Sequence, residues 1–312
     1  MTSRRIFPTI LAGLLAAATS GTAFAQSQAP QALDDAWWTG PMLANSAHTL
    51  PTGHMLIESY LYDAISGPTN SVNSLTYLLY GVTDRLTLGL VPTAGYSSVR
   101  GGQDSSGIQL GDTQLRAQYG LTSLDAARGI PDLAIALIET VPTGRYDRLG
   151  TRPSDGFGSG AYTTALAFYS QMVFWMPNGR LLRSRLDLSQ SISRQTTVED
   201  VSVYGTGMGF RGHARPGNAF SADLAFEYSL TRNWVLALDV IYNHGNEAIT
   251  RGTQDGHPLA LHSGTSDSLG FAPAIEFNWT PNIGVLGGVR IIPKGHNSPA
   301  SVTPAVAINY VL

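Results

Sequence analysis

The stretch FSADLAFEYSLTRNWVLALDVIYNHG, residues 220–245, alternates between two unlike sides. Phe220, Ala222, Leu224, Phe226, Tyr228 and Leu230 share one parity; Ser221, Asp223, Ala225, Glu227 and Ser229 share the other. After Thr231-Arg232-Asn233 the pattern resumes, with Trp234, Leu236, Leu238, Val240 and Tyr242 set against Val235, Ala237, Asp239, Ile241 and Asn243. Successive side chains of a β-strand point to opposite faces, so this is a hairpin with one oily and one acid-bearing face. Alternation alone does not say which face meets water. In a soluble sandwich the oily face is the core; in a membrane barrel it meets lipid and the charges line a wet bore.

The chain opens MTSRRIFPTILAGLLAAATSGTAFAQS. Arg4 and Arg5, a short apolar run and Ala23-Phe24-Ala25 read as an export signal over residues 1–25. The run is shorter than the roughly 20 apolar residues of a spanning helix, and no cysteine follows it to carry a lipid anchor. The chain holds 19 Lys and Arg against 22 Asp and Glu, and removing the signal takes two of the bases, which leaves it mildly acidic and gives no reason to expect a nucleic-acid partner. Charged residues are 13 % of the chain, against about 25 % in soluble domains. With Cys 0 there are no disulfides, so an exported chain must rely on a large core or a closed hydrogen-bonded sheet.

Residues 26–52 lack periodicity and carry Trp37-Trp38; they read as an irregular periplasmic leader, with the tryptophans folding back onto a barrel mouth. Residues 53–312 read as the barrel. Strand patterns fall at 55–62, 73–80, 86–91, 112–121, 132–141, 162–175, 182–191, 220–230, 234–243, 269–279, 283–292 and 302–312. That predicts twelve strands. A weaker pattern at 201–211 is assigned to an external loop, because a thirteenth strand would break both the even count and the alternation of short and long connections. The connections at Thr83-Asp84, Pro177-Asn178-Gly179, Thr231-Arg232-Asn233 and Thr280-Pro281-Asn282 are short, whereas those at 97–111, 142–160 and 244–268 are long and polar.

Four observations place lipid outside. One parity carries Arg116, Arg183, Arg185, Asp187, Asp223, Glu227, Asp239, Glu276 and Arg290, which pair badly with lipid. Phe220 and Tyr228 lie eight residues apart, as do Trp234 and Tyr242. At about 3.3 Å per residue and a tilt near 40°, eight residues rise roughly 20 Å, close to an apolar band edged by aromatic girdles. The strands approach ten residues, where soluble ones average about five or six. The chain ends in an alternating strand with Ile308, Tyr310 and Leu312 on one face, resembling the C-terminal signal read by the outer-membrane assembly machinery, although Leu312 replaces the usual aromatic end. The expectation is an all-β, antiparallel transmembrane barrel of about 12 strands in the outer membrane of a Gram-negative bacterium.

The segments Thr39-Gly40-Pro41-Met42-Leu43, Leu50-Pro51-Thr52-Gly53-His54, Val141-Pro142-Thr143-Gly144-Arg145-Tyr146-Asp147 and Tyr228-Ser229-Leu230-Thr231-Arg232-Asn233-Trp234 resemble the outer-membrane barrels associated with the meta-pathway of phenol degradation. The likeness runs from about Thr39 to Leu312. It implies a channel or transporter for small, often aromatic, molecules, and it brings no catalytic residues.

For a channel the predicted lining is Gln114, Arg116, Gln118, Arg183, Arg185, Asp187, Asp223, Glu227, Asp239, Glu276 and Arg290. Both signs occur, so two readings stand: opposed acidic and basic walls that orient a solute at a constriction, or a salt-bridge network that fills the barrel. The partners expected are membrane lipid, the assembly machinery and small solutes; no cofactor or metal is expected. An enzymatic barrel would need an activated nucleophile. Of His48, His54, His213, His244, His257, His262 and His296 only His244 closes a strand, beside the acidic hairpin, and neither G-x-S-x-G nor H-E-x-x-H occurs. A barrel hydrolase and a structural barrel acting through its external loops are the competing readings.

Overall fold

Residues 30–312 are described by a computed structural model, and the expected export signal at residues 1–25 lies outside the described residues. The strands, in chain order, are β1 (Met55–Ser66), β2 (Thr69–Thr83), β3 (Leu86–Val91), β4 (Thr93–Val99), β5 (Gln109–Leu110), β6 (Thr113–Thr122), β7 (Asp132–Val141), β8 (Thr163–Trp175), β9 (Leu181–Ser193), β10 (Thr196–Glu199), β11 (Phe210–Arg215), β12 (Ala219–Ser229), β13 (Trp234–Gly245), β14 (Ile249–Gln254), β15 (His257–His262), β16 (Ser266–Thr280), β17 (Ile283–Ile292) and β18 (Ser301–Val311).

Fourteen of these make one antiparallel sheet, and β1 pairs with both β2 and β18, so the sheet closes on itself. β3 and β4 both pair with β2 and form one stave. They part at Pro92, which lacks an N–H but whose carbonyl still accepts from Thr76 N at 3.3 Å. β5 and β6 likewise form one stave. The wall therefore has twelve staves, as the sequence predicts. Closure is what hydrocarbon demands, since every backbone polar group at membrane depth needs a partner within the protein.

The quoted hairpin settles the orientation. Phe226 lies opposite Leu238, Ala225 opposite Asp239 and Glu227 opposite Ala237. Leu224, Phe226, Leu236 and Leu238 are 36–44 % exposed, whereas Ala225, Glu227, Val235 and Asp239 are at 0 %. The oily parity faces outward and the acidic parity is buried in the bore. The same outward parity recurs around the wall at Leu88, Leu115, Leu137, Leu166, Phe271, Ile275, Val306 and Ile308, all exposed. No soluble core has its leucines on the outside of the sheet and its carboxylates within. Two-sided alternation produces the barrel because lipid solvates one face and the bore's polar groups satisfy the other.

Both ends of the wall, Met55 and Val311, lie at the rim that carries most of the tight turns, which is the periplasmic rim by the usual asymmetry. At the opposite rim β10, β11, β14 and β15 form a separate four-stranded sheet. Residues 201–211, predicted as external loop, are mostly turn; only Phe210 and Arg211 begin β11, which belongs to this outer sheet and not to the wall. Val198, Phe210 and Ala214 are buried there with Tyr146, Tyr204 and Leu259 packed on them. Below, the loop after β7 is pinned across the mouth: Asp155 accepts from Ser106 N at 2.7 Å and pairs with Arg145 at 3.6 Å, and Asp112 accepts from Gly144 N and Ser159 N at 3.0 and 2.7 Å.

Candidate functional site: the bore and the segment inside it

Pro30 to His54 contains no strand, and a single 3-10 turn (Leu33–Asp35) is its only regular element. This segment runs through the bore, where an irregular periplasmic leader was expected. The physical reason is the wall: inward carboxylates need donors, and an irregular chain has unpaired backbone N–H groups to offer. Glu276 accepts from Thr39 N and Gly40 N at 2.8 and 3.2 Å. Asp239 accepts from Met42 N, Leu43 N and Ala44 N at 3.0–3.2 Å. Asp187 accepts from Asn45 N at 2.7 Å and Asn45 Nδ2 at 2.9 Å. In return Arg185 donates to the Ala44 carbonyl at 2.9 Å, and Gln118 to that of Ser46 at 2.9 Å. Where the segment leaves the bore, Gly81 N bonds His54 O at 2.9 Å. A side chain at Gly81 would strike the Leu50 carbonyl oxygen at 2.6 Å, so glycine is required for this close passage.

All nine charged residues predicted for the lining lie on the bore side, and the closest pair of opposite signs lies along the wall, between neighbouring strands. Arg183 and Glu227 are side-by-side partners on β9 and β12, joined by two bonds of 2.6 and 2.5 Å. Arg185 reaches the same carboxylate at 3.3 Å, and the Arg183 guanidinium sits 4.5 Å over the Trp38 ring. Asp223 lies beside Asp187, acid next to acid, and one oxygen of each has no partner among the described residues. Arg116 stands apart on β6, bonding Asn45 Oδ1 and Tyr169 OH at 2.8 and 2.7 Å. Arg290, on β17, makes no hydrogen bond or ion pair among the described residues, and its Nε is buried.

The leader divides what remains of the bore. Toward the periplasm a cavity of about 230 Å³ is lined by Leu56, Glu58, Arg116, Asn309 and Val311 among others. Toward the outer rim a second, of about 150 Å³, is lined by Tyr62, Leu75, Arg290, Thr303 and Ala305. Met42, Leu43, Tyr60 and Tyr77 line both, so these four form the neck between them. The two tyrosine rings meet edge to face at 6.2 Å. Asp239, by holding Met42 N and Leu43 N, fixes the leader's half of that neck.

Glu58, Tyr60, Tyr62 and Tyr77 were missed as lining residues. Their strands alternate only moderately, and aromatic side chains in a barrel read first as girdle. The parity of Glu58 was the available signal, since Tyr60 and Tyr62 share it. The leader's contacts are mostly backbone donors, which have no sequence signature.

His244 sits at the outer end of β13. Its Nδ1 lies 2.8 Å from Asp267 Oδ1 and its Nε2 3.1 Å from Asn246 Oδ1. Both ring nitrogens thus face oxygen acceptors, and neither bonds a serine hydroxyl among the described residues.

Residues 40–292 match the sequence profile of the family described as "Putative MetA-pathway of phenol degradation". The chain belongs to this family. The match starts within the leader and ends with β17, so the family pattern runs through the bore segment and most of the wall. Its fold is that of an outer-membrane channel from Pseudomonas putida F1, with TM-score 0.64 and 17 % identity, covering 87 % of this chain and all of the other. At that identity the likeness speaks for the fold. The NanC porin (8 % identity, 81 % of this chain, 98 % of the other, TM-score 0.46) and the Pseudomonas putida toluene transporter TodX (10 %, 92 %, 97 %, 0.41) are weaker likenesses and carry no further argument. No curated protein matches the sequence. The family member is an outer-membrane β-barrel.

Proposed function

We propose that the protein is a passive outer-membrane channel for small solutes, and that the solute travels beside the leader along β1, β2, β17 and β18. The observation that carries this reading is the pair of cavities in line, sharing the Met42, Leu43, Tyr60 and Tyr77 neck. The opposite side of the bore holds the leader's charged anchors and, at its periplasmic end, a separate cavity of about 290 Å³ lined by Trp38, His48, Asp132, Gln171 and Arg183. The solutes that suit such a path are small and at least partly apolar, because tyrosine, leucine and methionine line the neck. The family's association with phenol degradation and the channel fold support the same reading.

Among the competing readings, the hydrolase loses its best residue, since His244 is engaged on both sides. Liposome swelling tests the proposal. Purified protein should admit single-ring solutes faster than hexoses of similar mass. Ala305→Trp places an indole in the smaller cavity, and the single-ring flux should fall several-fold. Equal flux in the two proteins would remove the path from this side of the bore.

A further inference from the structure

The smaller cavity contains two polar groups that the fold leaves unsatisfied. Arg290 and Thr303 are cross-strand partners on β17 and β18. Thr303 is 2 % exposed, and among the described residues its Oγ1 has no hydrogen-bond partner, nor has the buried Nε of Arg290. A buried polar atom without a partner is costly, and Arg290, half-buried as a residue, has one such atom in its guanidinium. The other arginines of the bore have partners: Arg183 and Arg185 share Glu227, and Arg116 bonds Asn45 and Tyr169. No carboxylate lies within ion-pair distance of Arg290 among the described residues. Its charge is permanent and it lines the cavity, so the occupant that suits it is an anion or a strong acceptor.

The rest of the cavity specifies the other end of that partner. Its volume is about 150 Å³, the size at which an apolar cavity takes up a benzene ring. Tyr60, Tyr62, Tyr77, Leu75, Met42 and Leu43 surround it. We infer that this cavity is a binding site for a monocyclic aromatic carboxylate, its ring among the tyrosines and Leu75 and its carboxylate on Arg290 and Thr303. A guanidinium fork matches a carboxylate in two parallel bonds, and the threonine hydroxyl supplies a third donor. This rests on the channel reading and narrows it to a solute class; it places selection at the outer half of the path, before the neck.

The test is direct binding of benzoate to the detergent-solubilised protein by calorimetry, with benzyl alcohol and acetate as controls. Benzoate should bind more tightly than either control. Arg290→Gln should weaken benzoate about 10- to 100-fold, the loss expected of charge-assisted bonds, and leave benzyl alcohol unchanged. Thr303→Val should weaken benzoate by a smaller factor. Because Arg290 holds no partner in the fold, Arg290→Gln should unfold at the same temperature as the parent or higher, which an arginine of structural role would not. Benzoate and benzyl alcohol bound alike, acetate bound as tightly as benzoate, or benzoate binding unmoved by Arg290→Gln would each overturn the assignment. Swelling flux that persists in those cases would leave the channel reading standing, whereas absent flux with intact benzoate binding would remove the channel and keep the site.

Discussion

Asp239 holds three successive backbone N–H groups of the leader, more than any other single side chain among the described residues. Replacing it by alanine orphans those donors, at about 1–3 kcal/mol for each that stays buried. Asp239→Ala is therefore expected to free the segment around Met42 and Leu43, which limited proteolysis would detect as new cleavage between residues 39 and 46, together with a wider conductance. Arg183 makes a second residue-scale prediction. Arg183→Glu sets two carboxylates side by side on β9 and β12, and breaking a buried pair in this way costs about 3–5 kcal/mol. A lower urea midpoint is the expected result; an unchanged midpoint with altered ion selectivity would instead make the arginines a selectivity ring. His48, on the leader, lies 3.6 Å from Asp132. Its pKa is raised above the ordinary 6.5, chiefly by hydrogen-bonding approach of the Asp132 carboxylate and against the desolvation that would lower it. A raised folded-state pKa gives a contribution complete below 6.5 and lost as pH climbs through the higher folded value. The leader near His48 should thus be cut faster by protease at pH 8 than at pH 6.

At the scale of elements, the twelve staves were legible because period-2 alternation leaves little choice of face once the bounding turns are set. The strands proved longer than their patterns: β2 runs from Thr69 where alternation is clear only from Asn73, since Ser, Thr and Asn at the outer rim have no strong side preference. The predicted strand at 86–91 stops short of β4, whose last residues, 97–99, fall in the predicted loop at 97–111; pairing with β2 carries the stave through to Val99. The charged bore face was legible residue by residue, but its arrangement was not. Which strands neighbour which follows from the hairpin order, whereas the exact register that sets Arg183 beside Glu227 and Asp223 beside Asp187 depends on connection geometry across residues 194–218. The outer sheet joins two external connections that are far apart in sequence, so no local pattern announced it. Phe210 is its buried centre. Phe210→Ala should cost that sheet about 3–5 kcal/mol, seen as proteolysis at residues 200–215 while the barrel keeps its heat-modifiable mobility.

The whole molecule is a closed wall whose interior is built in two parts, one by the staves and one by the chain's own N-terminal segment. The wall supplies carboxylates, the segment supplies donors, and the space left beside β1, β2, β17 and β18 is lined by aromatic rings and Arg290. Everything in that description requires the apolar parity to lie in lipid. With Cys 0 in the natural sequence, single cysteines can be placed without background. Bimane attached in turn at Leu224, Phe226, Leu236 and Leu238, and at Ala225 and Ala237, in vesicles of lipid brominated on the acyl chains, reports which positions touch hydrocarbon. Strong quenching at the first four with little at the two alanines is the result this structure predicts; strong quenching at Ala225 and Ala237 with the leucines and Phe226 spared would contradict it.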